Sequence, residues 1–140
     1  MKFESLKKKK RDGFTLVEMV IVVTILGILS GIGFMKFGDV QQTSRENADY
    51  VAAANLATAA NLCLLENPSI VTEKDGNKTI EINDLKKQGY INFIPKSQSE
   101  NKDFIIKIVE VGENEDKSEE LRVLCDLGSG EEIIFYPKSK

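Results

Sequence analysis

Phe14 to Met35 reads FTLVEMVIVVTILGILSGIGFM, 22 residues in which Glu18 is the single charge. As an α-helix this stretch would span roughly 33 Å at about 1.5 Å per residue, the thickness of a bilayer's hydrocarbon core. Lys7-Lys8-Lys9-Lys10-Arg11 stands just before it and only Lys36 just after. Basic residues stay on the cytoplasmic side, so the N-terminus is expected inside and the rest of the chain outside. A conventional secretory signal fits poorly, because its apolar region runs only about 7 to 15 residues and ends at a small-residue cleavage site. A carboxylate within an apolar span is costly, so Glu18 is expected to have a partner.

The remaining composition narrows the function. The chain has 140 residues, enough for an anchor and one small domain. Residues 1 to 13 hold six basic side chains against Glu4 and Asp12, a net +4, while the rest holds 13 basic and 20 acidic groups, a net −7. An acidic body argues against direct nucleic-acid binding. Histidine is absent. Without it no Ser-His or Cys-His arrangement can form, so no enzyme, no metal site and no cofactor are expected. The acids Glu110, Glu113, Glu115, Asp116, Glu119 and Glu120 lack EF-hand spacing and read as a solvated hairpin tip.

The run Gly13-Phe14-Thr15-Leu16-Val17-Glu18, after a short basic leader and before about 17 apolar residues, resembles the class III signal of type IV pilins and pseudopilins. The resemblance implies that a prepilin peptidase cuts between Gly13 and Phe14 and methylates the new terminus at Phe14. Glycine suits the cut, since it lies extended at little steric cost. It further implies that the Glu18 carboxylate pairs with a Phe14 ammonium, its own or a neighbouring subunit's, fixing register in a homo-oligomeric helical filament. The partners implied are the peptidase, an assembly ATPase and a platform protein, with the precursor in the cytoplasmic membrane and the mature subunit extracellular. Gly27, Gly31 and Gly33 give small-residue spacing that lets helices approach closely, although glycine is frequent in membrane helices in any case.

Residues 37–67 contain no proline and place Ala52, Leu56, Ala59 and Cys63 at helical spacing, an amphipathic continuation that Asn67-Pro68 should end. Beyond it, Ile70-Val71-Thr72 and Thr79-Ile80-Glu81-Ile82 flank the turn signal Asp75-Gly76-Asn77. Asn83 to Gly89 carries the capping signature of a short helix. Phe104–Val111, Leu121–Leu127 and Ile133–Tyr136 read as an antiparallel meander, with no register assignable to the first, which is apolar on both faces. Cys63 lies on the helix stripe and Cys125 on the apolar face of its strand. In an oxidising exterior they are expected to form a disulfide closing about 60 residues, worth roughly 4 kcal/mol; two buried thiols acting as small hydrophobes are the alternative.

The expected fold is therefore α+β and pilin-like: a long N-terminal helix, half transmembrane and half amphipathic, packed on a small antiparallel sheet. The expected organisation is a cleaved leader at 1–13, a membrane and filament-core helix at 14–36, its amphipathic continuation at 37–67 and a head at 68–140. The expected function is a structural subunit of a type IV pilus used for adhesion and motility. A pseudopilin of a secretion or DNA-uptake machine is the alternative, and a non-assembling anchored binding module a second.

Overall fold

Asn67 sits at φ −143°, ψ 78°, outside helical space, because the ring of Pro68 disfavours the α conformation in the residue before it. Helix α1, Leu16–Glu66, accordingly stops there, its last turn closed by the Asn67 N–H donating to the Cys63 carbonyl at 2.7 Å. The computed structural model describes residues 13–112 and 117–138. Residues 1–12 of the expected leader 1–13, and Glu113, Glu115 and Asp116 of the acidic stretch, lie outside them.

Two units divide the chain, residues 1–39 and 40–140. In the first, α1 is apolar and its side chains are exposed: Ile21, Leu26, Leu29 and Ile32 each show about half their surface or more. The helix is long and apolar enough to cross a membrane. The hydroxyl of Thr24 donates back to the Val20 carbonyl at 2.7 Å, so this polar side chain makes no demand on the apolar surroundings.

The second unit is the C-terminal part of α1 against one five-stranded sheet. A 3₁₀ turn, Pro68–Ile70, leads into β1, Val71–Lys74, and β2, Asn77–Ile80. Asp75 and Gly76 join the two strands with φ of 52° and 77°, the paired positive angles of a type I′ turn. Helix α2, Ile82–Lys87, follows, then β3, Phe104–Val111, β4, Ser118–Gly128, and β5, Glu131–Tyr136. The sheet order is β1-β2-β3-β4-β5, antiparallel throughout, as a meander requires. Helix α2 starts two residues early: Glu81 takes the cap position expected of Asn83, and Asn83 lies inside the helix. Its end matches expectation, with Gly89 at φ 85° and Tyr90 donating to the Leu85 carbonyl at 3.0 Å.

Pairing supplies the register that β3 lacks in sequence. Phe104 lies opposite Cys125 and Ile106 opposite Val123, and all four are buried against α1. Ile105 instead lies opposite Leu124, itself opposite Ile134, so the far face carries a small apolar row that leaves Leu124 2% exposed. On the helix side, Ala53, Leu56, Ala57, Ala60 and Cys63 meet Ile70, Ile80, Leu85 and the inward strand residues. Three alanines in that contact let backbone and sheet approach closely. The apolar stripe is thus centred one position from the expected Ala52, which is only partly buried. Phe135 completes the core, edge-on to both Tyr50 and Phe104 with ring centroids 5.6 Å apart in each pair.

Candidate assembly site

Helix α1 begins at Leu16, which makes Thr15 its N-cap. The Glu18 N–H donates to Oγ1 of Thr15 at 3.3 Å, and the Glu18 carboxylate returns the favour through one oxygen. Its Oε2 accepts the Thr15 N–H at 2.7 Å and the Thr15 hydroxyl at 2.9 Å. This is a reciprocal capping box, in which two orphan amides of the helix start are satisfied by two side chains three residues apart. It also places a carboxylate where the helix dipole is positive. Phe14 lies beside it, 83% exposed, and Gly13 has open space around its α-carbon. Thr15 was missed by sequence reasoning, although the Thr-x-x-Glu spacing that announces a capping box was in view.

Gly27, Gly31 and Gly33 stand further along the same helix. A β-carbon built on any of them meets nothing within 4 Å, so no contact inside the chain requires glycine there.

The second unit contains a polar site that the sequence reading did not pick out. Asp49 is fully buried, and its carboxylate accepts four short bonds from one loop: the Gln98 N–H at 2.6 Å, the Ser99 N–H at 2.9 Å, and the hydroxyls of Ser97 and Ser99 at 2.7 and 2.6 Å. Burial by itself would raise this carboxyl. The bonds from Ser99, Gln98 and Ser97 outweigh burial and hold it below the usual carboxylate range. The signal was legible: Asp49, Ala53, Leu56, Ala60 and Cys63 recur at spacings of four, three, four and three, the buried line of the helix. Asp49 thereby pins the long segment between α2 and β3 onto α1.

The expected disulfide is not made. Cys63 and Cys125 are both free and buried. Cys63 donates to Oε1 of Gln88 at 3.5 Å, whereas Cys125 lies opposite Phe104, which packs through Phe135 towards Tyr50, the neighbour of Asp49. Fourteen helical residues, about 21 Å, separate Cys63 from Asp49, and a disulfide needs α-carbons within about 7 Å. Both thiols face the core, as the patterning implied, but at different heights along it. Burial pushes the Cys125 thiol up to about 11 and raises Cys63 as well.

Among the described residues no group of three His, Cys, Asp or Glu side chains is placed to hold a metal. The described acids of the β3–β4 hairpin are engaged in ion pairs: Glu110 with Lys117 at 3.5 Å, Glu120 with Arg122 at 2.9 Å, and Glu119 with Lys78.

A capped apolar helix following a Gly-Phe junction, and continuing into an α+β head, defines the pilin-like class. Comparison with known proteins agrees. Residues 8–34 match the family model described as the prokaryotic N-terminal methylation motif. A fimbrial protein of Pseudomonas aeruginosa is 30% identical over 104 residues, covering 72% of this chain and 68% of the relative. A second fimbrial protein of that organism is 36% identical over 64 residues, and a probable minor fimbrial protein of Dichelobacter nodosus 35% over 63. The chain spans 42% and 40% of those two, against 68% of the first. No solved structure matches the chain. The chain belongs to the type IV pilin family.

Proposed function

We propose that this chain is a structural subunit of a type IV pilus. It is inserted N-terminus inward, cut between Gly13 and Phe14 by a prepilin peptidase, methylated at Phe14, and drawn by an assembly ATPase and platform protein into a surface filament. Helix α1 forms the filament core and the acidic head its surface. The reciprocal cap of Thr15 and Glu18 at the start of an exposed apolar helix carries this reading.

In the uncut chain Phe14 has no ammonium, and Thr15 satisfies Glu18 within the same helix. Cutting creates an α-ammonium one helical turn from that carboxylate. The carboxylate then gains a charged partner, its own terminus or a neighbour's, through the oxygen that Thr15 leaves unused, and the gain is favoured because charge-assisted hydrogen bonds are the stronger kind. Gly27, Gly31 and Gly33, which nothing inside the chain crowds, are left for close approach of neighbouring helices. Glu18→Ala tests the reading: membrane-held subunit without filaments supports it, and normal filaments refute it. The same anchor serves a pseudopilus, and long surface fibres containing this subunit separate the two.

A further inference from the structure

Helix α1 carries a second apolar line on the side turned away from the sheet. Val51, Leu62 and Leu65 are 61%, 52% and 82% exposed. Spacings of 11 and 14 residues at about 100° each keep all three within about 40° of one direction, nearly opposite the buried Ala53 and Ala60. Beside Val51 the helix and the loop that Asp49 pins enclose a groove of about 870 Å³. Val51 and Ala52 wall it on one side and Phe93, Ile94 and Pro95 on the other, with Phe93 70% exposed. Lys96, at its rim, is the exposed charge among the lining residues, since Asp49 is buried. The ridge formed by Leu62 and Leu65 ends instead in Glu66, which is exposed and accepts the Tyr90 hydroxyl through one carboxylate oxygen, leaving its negative charge at the surface.

We infer that the groove between Val51 and Phe93 receives the Leu62 and Leu65 ridge of a second copy of this chain. The inference rests on the filament reading, which sets the copies parallel because all leave one membrane in one orientation. Ridge and groove are different patches on one surface, so their contact is heterologous; it cannot close on itself as a two-fold dimer does and propagates into a filament. Matching Val51 of one copy with Leu62 or Leu65 of the next shifts the copies along the helix by about 16 to 21 Å. Opposite charges at Lys96 and Glu66 favour ridge in groove over groove against groove. The exposed ion pair of Lys96 with Asp103, at 3.5 Å, is weak enough to exchange. Covering the exposed Phe93, Leu62 and Leu65 supplies the apolar driving force.

The test uses the full chain in cells that display the filament. Val51→Cys and Leu65→Cys are introduced together and singly, both at exposed positions where the head keeps its core. Oxidising sheared filaments should give a ladder of covalent multimers in the double variant and none in either single variant. Filaments of the double variant that stay monomeric on oxidation would overturn the docking. Leu65→Asp gives an independent reading: loss of filaments with an unchanged protease-resistant head is expected, and wild-type filament numbers would count against it. Failure of the filament reading shows elsewhere, as an unmodified chain that keeps its leader and forms no filaments.

Discussion

Thr15 and Glu18 hold each other at the first turn of α1, the threonine hydroxyl donating to the same carboxylate oxygen that takes the threonine amide. The carboxylate therefore enters the apolar segment already satisfied. Thr15→Val removes the hydroxyl while keeping the shape. It should cost about 1 kcal/mol of helix-start stability and lower the yield of sheared filaments, while Thr15→Ser restores both. Filament yields are read by quantifying subunit in the sheared fraction, and equal yields for the three chains would sink the role given to the cap.

Asp49→Ala leaves two amides and two hydroxyls of the partly buried 97–99 segment without their acceptor. Each buried donor left unpaired costs about 1–3 kcal/mol, partly relieved as the loop moves, so a net loss of about 2–4 kcal/mol is expected. Urea unfolding of the detergent-solubilised chain measures it. Asp49→Asn keeps one carbonyl acceptor and should lose less.

The same carboxylate makes stability depend on pH in one direction. Its folded value is lowered, so the unfolded chain binds the proton more readily. Its contribution is fully present above the unfolded carboxyl range, about pH 4, and is lost as pH falls through the lower folded value. Denaturation midpoints of wild type and Asp49→Asn should therefore converge below about pH 4. A gap that widens on acidification would contradict the assignment.

Cys63 and Cys125 should be unreactive to a thiol reagent at neutral pH in the folded chain, because burial raises both. Both should react once the chain is unfolded, and the intact mass should include both thiol hydrogens. A mass short of two hydrogens would mean the bond does form and the helix and sheet heights differ from those described.

Leu56→Ala should destabilise the head by about 2–5 kcal/mol, since the leucine is 1% exposed amid the helix–sheet contact. Leu65→Ala, 82% exposed, should leave the unfolding midpoint of the head within about 0.5 kcal/mol. Reversed sensitivities would show the helix faces to be misassigned.

Much of this fold is legible in the sequence because its signals are local. Asn67-Pro68 ends α1, Asp75-Gly76 makes the tight turn between β1 and β2, and Gly89 closes α2, each through a backbone preference of one or two residues. Glu18 stands out as the lone charge of an apolar run, and the structure adds its Thr15 partner. What resists is the non-local part. Phe104–Val111 is apolar on both faces, so nothing in it selects a register until β4 and β2 pair with it. The disulfide expectation failed because periodicity gives the face a residue occupies but not its height along the core. Asp49 sat in plain view on the buried line of the helix, but its partners lie 48 to 50 residues away.

The most direct measurement is the N-terminal peptide mass of protein sheared from the cell surface. A chain beginning at Phe14 and carrying one added methyl is expected. A chain beginning at Met1, or cut beyond Met35, would contradict processing as a pilin and leave an anchored or secreted head with no filament to build.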